Sequence, residues 1–219
     1  MNQPARPTIT VNDAHNRKYD EYYRDPKQLQ YAAVGLGALF VAVGAYFWWS
    51  TGKTAGGTMA LIAFAAVGLV FMAIAVVIPK KVGSPQHIYD TYPLCPAVIV
   101  ECHADDTVTI AGLVDAATDV AHGTPRIALA TRTVRHLPGH QLQVGERVPV
   151  VAVPGRRAVL KNRDHWAEMT LMPIAWATPE HGVIRRCAGA ISEAKWRKLK
   201  SSIRHYEDMK QHKETLRVL

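Results

Sequence analysis

Gly52-Lys53-Thr54 is the tripeptide that closes many phosphate-binding loops, and it is the first stretch of this chain whose residue types suggest chemistry. Such a loop also needs a glycine five residues earlier, so that backbone N–H groups can wrap a phosphate, with a strand before and a helix after. Phe47 occupies that position. Cys102-His103-Ala104-Asp105-Asp106 gathers metal-ligand types at a strand end and hairpin turn, but the Cys95 to Cys102 spacing fits no short zinc knuckle. Between His136 and His140, Leu137-Pro138-Gly139 forbids the helix that would align two imidazoles. No His-Glu-x-x-His or Gly-x-Ser-x-Gly occurs. Arg156-Arg157 and Arg185-Arg186 have the charge to hold a phosphate, although surface arginines ordinarily meet only water. These motifs assign no catalytic residue, cofactor-binding residue or metal ligand, and no cofactor is expected.

The segments flanking Gly52-Lys53-Thr54 explain it better. Tyr31 to Trp49 and Thr58 to Ile78 carry no Asp, Glu, Lys, Arg or His. At ~1.5 Å rise per residue each is long enough for a hydrocarbon core of about 30 Å. Both are apolar all round, where a soluble core helix would keep a polar face, so they read as transmembrane helices joined by the turn at Ser50 to Gly57. Arg17, Lys18, Arg24 and Lys27 precede the first span, Lys80 and Lys81 follow the second, and Lys53 alone lies between them. Basic residues are retained on the cytoplasmic side, so a multi-pass protein of the inner (cell) membrane with cytoplasmic N- and C-termini is expected. A polar stretch with Pro4, Pro7 and Pro26 precedes any apolar run, which argues for an uncleaved anchor rather than a signal peptide. Without ionisable groups in either span, transport by this chain alone is not expected. Ala33, Gly37 and Gly44 on one span, and Ala65, Gly68 and Ala75 on the other, let helix backbones approach closely, within the hairpin or against another membrane protein or a second copy.

Residues 1–30 mix charges of both signs with Tyr19, Tyr22 and Tyr23 and contain little aliphatic material, so they read as a flexible cytoplasmic arm. The hairpin covers 31–79 (spans 31–49 and 58–78), and 80–95 reads as a linker. A β-rich cytoplasmic domain over 96–178 follows from Val-, Ile- and Thr-rich runs at Ala97 to Cys102, Thr107 to Val114, Arg126 to Val134, Arg147 to Val153 and Ala167 to Trp176, separated by turn signals. The spacing suggests a small, mostly antiparallel sheet curled like a barrel, with Pro149 and Pro173 at edges or bulges. Over 179–219 two helices are expected to pack on it, the first introduced by Thr178-Pro179-Glu180 and the second capped by Ser192. In the second, Trp196, Leu199, Ile203 and Tyr206 form an apolar stripe, while Lys195, Arg197, Lys198, Lys200 and Arg204 occupy the remaining surface. The whole is an α+β membrane protein: a two-helix transmembrane hairpin, a barrel-like domain and two C-terminal helices.

The net charge is +8, and Lys and Arg also outnumber Asp and Glu beyond Lys80. A basic domain beneath an anionic leaflet is attracted to it by about 1 kcal/mol per basic residue that reaches the surface. This makes Lys195, Arg197, Lys198, Lys200 and Arg204 the candidate anionic-surface contacts, with acidic lipid headgroups as one partner. Nucleic acid is not expected, because readers of it interleave aromatics with basic residues and no such signature occurs. Cys95, Cys102 and Cys187 sit in a compartment expected to be reducing, which argues against structural disulfides.

YPLCPAVIVE, LPGHQLQVGERVPVVAVPGRR and MPIAWATPE, between Tyr92 and Glu180, follow two spans and precede a basic helical tail. In this combination the chain resembles an actinobacterial, corynebacterial-type family of membrane-anchored proteins known only as a domain of unknown function. The resemblance carries no reaction and no active-site residues. The expected role is that of a non-enzymatic accessory or scaffold, whose basic cytoplasmic domain binds or organises another inner-membrane protein or complex. The alternatives are a membrane-tethered binder of an anionic ligand, either acidic lipid headgroup or nucleic acid, and an enzyme whose site is not legible.

Overall fold

The computed structural model describes residues 7–82, 84–118, 124–155 and 164–219. Its elements run α1 (Asp13–Tyr19), α2 (Glu21–Ser50), α3 (Ala55–Val82), α4 (Pro85–Thr91), β1 (Leu94–Cys102), β2 (Val108–Asp115), β3 (Ile127–Val134), β4 (Arg147–Pro154), β5 (Met169–Pro173), α5 (Ile174–Ala177), α6 (His181–Ala190), α7 (Glu193–Ser202), a 3-10 turn (Ile203–His205), α8 (Tyr206–Gln211) and β6 (Leu216–Val218). They form two compact units, residues 21–84 and the remainder.

The first unit is the hairpin of α2 and α3. Its turn is a helix stop: Lys53 N–H donates to the Trp48 carbonyl at 3.1 Å and Gly52 N–H to that of Trp49 at 3.2 Å, with Gly52 at φ +66°. This is a Schellman cap, which needs the left-handed conformation that glycine adopts freely. Lys53 Nζ lies 5.1 Å from the centroid of the Trp48 ring, so the lysine belongs to the turn. The small residues set the packing. A Cβ on Gly37 would lie 3.0 Å from the Gly68 carbonyl oxygen, and one on Gly68 2.8 Å from that of Gly37. Phe40 stacks on Phe71 and Phe47 on Phe64 beside that contact. Along the two apolar runs the remaining surface is open, with Leu39, Ile62 and Leu69 exposed. Only 17% and 11% of the two apolar stretches are covered by the chain itself, whereas a soluble core helix would be mostly buried. This is a membrane protein.

The second unit is a six-stranded, wholly antiparallel sheet in the order β5-β4-β1-β2-β3-β6. It curls into a half-barrel in which β5 comes round towards β3, so that the Arg132 guanidinium donates to the Leu171 carbonyl at 3.0 Å. Gly112 is the close-packing point inside the curl: a Cβ there would lie 3.0 Å from Leu171 Cδ1. On the other face Val98, Ala111, Leu113 and Leu129 pack against Ile191, Trp196, Leu199 and Met209 of the helical layer.

The structure departs from the sequence expectations at four points. Residues from Ile9 to Asp20 are not a flexible arm. Ile9 is buried, Val11 N–H donates to the Gln86 side chain at 2.9 Å, and Asn12 N–H donates to the Ala177 carbonyl at 2.8 Å. Asn12 also caps α1, its side chain accepting from His15 N–H at 3.0 Å. Helix α2 begins ten residues before the apolar run, at Glu21, and the expected linker holds α4 and the start of β1. The C-terminus adds a sixth strand, Leu216–Val218, paired with β3. Finally, Pro149 sits on the inner strand β4 rather than an edge, directly opposite Pro96 of β1. Two facing prolines can only occupy a pair that exchanges no hydrogen bonds, so each ring nitrogen points away from its partner. On those outer sides the ladders begin only at the next residues, Val150 opposite Pro173 and Ala97 opposite Gly112, so neither missing N–H costs a bond. Pro173 does lie on an edge strand.

Candidate functional site

Helix α7 and the 3-10 turn after it carry the candidate contacts. Ser192 precedes it in extended conformation, and Trp196 and Leu199 are buried under the sheet, with Ile203 half-buried and Tyr206 buried beyond. The 3.6-residue period then forces the intervening positions outward, and Lys195, Arg197, Lys198, Lys200 and Arg204 are all exposed. None of the five is ion-paired with a carboxylate among the described residues. Glu193, in the first turn, is held by Arg147 of β4 in a two-pronged pair at 2.7 and 3.0 Å, and the guanidinium lies 4.9 Å from the centroid of the Trp196 ring. That contact joins the helix to the start of β4. The Arg147 guanidinium, followed by the Arg197 charge, holds the Glu193 carboxyl below its usual range.

Beside this contact, α6 and the segment leading into β4 enclose an open cleft of about 400 Å³ lined by His140, Glu146, Arg147, His181 and Arg185. Leu137 to His140 is a turn with Pro138 second and Gly139 third, at φ +78°, and His140 N–H donates to the Leu137 carbonyl at 3.3 Å. The turn places the His140 ring inward: its side chain is 5% exposed, and Nδ1 meets Glu146 Oε1 at 2.7 Å. His140 Nε2 and Glu146 Oε2 are shielded from solvent and have no hydrogen-bond partner among the described residues. The sequence reading weighed His140 only against His136. His136 instead gives its carbonyl to the Trp176 indole N–H at 2.7 Å, and the partner of His140 is Glu146, six residues on. Arg185 lines the cleft while Arg186 does not, and Arg156-Arg157 lies outside the described residues.

At the far end of β1 the register slips between Ile99 and Glu101, a bulge that turns Glu101 towards α8. Its carboxylate accepts from Tyr206 Oη at 2.5 Å and Lys210 Nζ at 2.7 Å. These bonds, Lys210 first, hold the Glu101 carboxyl below its usual range. His103 is engaged by the Thr109 hydroxyl at 2.8 Å. Cys95 and Cys187 are buried cysteines and Cys102 is an exposed one. Among the described residues no three His, Cys, Asp or Glu side chains are grouped to hold a metal ion.

No curated protein matches this chain. The crystal structure of a candidate membrane protein from Corynebacterium diphtheriae superposes with a TM-score of 0.53 at 36% identity, over 58% of this chain and 100% of that one. The profile of a family described as "Protein of unknown function (DUF3239)" matches residues 80–207. The resemblance read between Tyr92 and Glu180 is thereby borne out, and the chain belongs to the DUF3239 family.

Proposed function

We propose that the protein is a non-enzymatic accessory of the inner membrane: a multi-pass hairpin with both termini cytoplasmic, holding a basic domain that binds or organises another membrane protein or complex. The observation that carries this reading is the exposed face of α7. Four cations on it and Arg204 on the 3-10 turn that follows, none of them ion-paired with a carboxylate among the described residues, lie on a domain that the chain joins to the hairpin twice, after Asp20 and before Pro85. The spans themselves offer no ionisable group for transport, and their small residues are used within the hairpin at the Gly37 to Gly68 contact. A partner therefore meets either the larger lipid-facing side chains or the soluble domain. Purification of the full chain in mild detergent, with identification of co-purifying proteins, tests this. A stoichiometric membrane protein should be recovered and should be lost with the triple substitution K195E, K198E, K200E. Recovery of the chain alone, or retention of the partner by the triple variant, overturns the reading.

The same face favours one alternative, attraction to acidic lipid headgroups, since basic residues near an anionic surface each gain about 1 kcal/mol. In nanodiscs of acidic lipid, Lys195, Lys198 and Lys200 should acylate more slowly than in neutral ones. Salt at 0.5 M should erase the difference, because the Debye length falls to roughly 4 Å. Equal rates in both lipids would remove this alternative.

A further inference from the structure

The cleft between α6 and the start of β4 is a separate place from the outer face of α7, and its chemistry is more selective. Surface arginines alone would define only a positive region. Here a buried imidazole is added, 5% exposed and fixed at Nδ1 by Glu146, with Nε2 and Glu146 Oε2 both lacking partners among the described residues. Unmet buried polar atoms are costly, so native proteins ordinarily supply each with a bond. Around the pair stand Arg185, His181 and Arg147, while the nearby carboxylates are already engaged, Glu146 by His140 and Glu193 by Arg147. Ile184 and Pro149 add an apolar wall.

We propose that this cleft binds a phosphomonoester group. Arg185 and the ring of His140 take its oxygens, and Glu146 Oε2 accepts from a hydroxyl of the phosphate or of its organic part. A carboxylate ligand, ionised throughout the neutral range, offers the ring only acceptors. A phosphomonoester has a second pKa of about 6, so near neutrality it presents acceptor oxygens and, in its monoanion, a P–O–H donor. It therefore serves Nε2 whether that nitrogen carries a proton or a lone pair. A phosphodiester lacks the P–O–H and the second negative charge. The volume of about 400 Å³ accommodates the phosphate with a small organic group against Ile184 and Pro149. The group can belong to a soluble metabolite or to a lipid that bears a terminal phosphate.

The test uses the full chain in uncharged detergent and in nanodiscs. Inorganic phosphate and glycerol phosphate are titrated by calorimetry and by phosphorus NMR line width. Discs containing phosphatidic acid, a phosphomonoester lipid, are compared with discs containing phosphatidylglycerol, an acidic phosphodiester. Saturable binding of glycerol phosphate identifies a soluble source; protection of Arg185 from guanidine-directed labelling only by phosphatidic acid identifies a lipid one. Either should weaken about tenfold or more in R185E, whose site is exposed and tolerant, and in H140Q, since one lost charged bond of about 1.4 kcal/mol is tenfold. The triple variant K195E, K198E, K200E should leave this binding intact, which separates the fate of the cleft from that of the α7 face. No saturable response to any phosphomonoester, equal protection by phosphatidylglycerol, or binding indifferent to both R185E and H140Q overturns the assignment.

Discussion

Tyr206 ties the C-terminal layer to the sheet through a single carboxylate, and its titration is readable. Burial first, and the bond to Glu101 second, push its phenol up to about 12. The folded state thus favours the neutral phenol more than the unfolded state does. The resulting stabilisation is complete below the ordinary tyrosine value of about 10 and is lost as pH rises through about 12. Glu101 has the opposite sign: its lowered carboxyl stabilises the fold above the usual glutamate range, and that contribution disappears as pH falls through the lowered value. Tyr206→Phe should therefore abolish the latest-titrating tyrosine in an ultraviolet pH titration. It should also flatten the dependence of denaturation midpoint on pH between 10 and 12. An unchanged late-titrating phenol in the variant would show that another tyrosine carries the shift.

At the scale of elements, α7 is held by its stripe rather than by its charges. Leu199 has no exposed surface and Trp196 only 4%, while Ile203 packs at the margin of the same cluster. A fully buried large apolar side chain is worth roughly 1.5–3 kcal/mol. Leu199→Asp should consequently cost at least that, with Ile203→Asp costing less, because its site is only half covered. Substitutions of exposed Lys195 or Lys200 should stay within about 0.5 kcal/mol. Denaturant melts of the full chain, followed by Trp fluorescence, rank the four. A midpoint for Leu199→Asp equal to the parent's would mean that the stripe is not the contact that holds α7.

At the scale of the whole molecule, Cys102 is a built-in reporter of topology, exposed in the unit that carries the sheet while Cys95 and Cys187 are buried. The proposed orientation, with both termini cytoplasmic, requires that a membrane-impermeant maleimide added to intact cells leave Cys102 unmodified and label a cysteine placed at Thr54, in the turn of the hairpin. Opening the cells should make Cys102 reactive. Labelling of Cys102 in intact cells would reverse the orientation drawn from Arg17, Lys18, Lys80 and Lys81.

The features visible in the amino-acid sequence are those that follow from local composition and period. The two spans, five of the six strands and the inward stripe of α7 with its outward lysines and arginines are fixed by apolar run length, by β-branched enrichment and by the 3.6-residue repeat, all of which act within about 20 consecutive residues. Features that depend on a distant partner were not visible. Residues 7–20 look solvent-like in composition, yet they order because Gln86 and Ala177 receive their backbone. Leu216–Val218 is too short to signal a strand and becomes one only by pairing with Ala128 to Ala130. Pro149 reads as an edge or bulge, and is tolerated inside the sheet because its ring nitrogen faces the side on which pairing with β5 begins only at the next residue. The cleft is the extreme case. His140 and Glu146 come from a turn, Arg185 from a helix about 40 residues later, and no periodicity links them. Only the tertiary structure decides that a buried ring nitrogen stands without a partner, because burial is a property of the packed surroundings rather than of the residue.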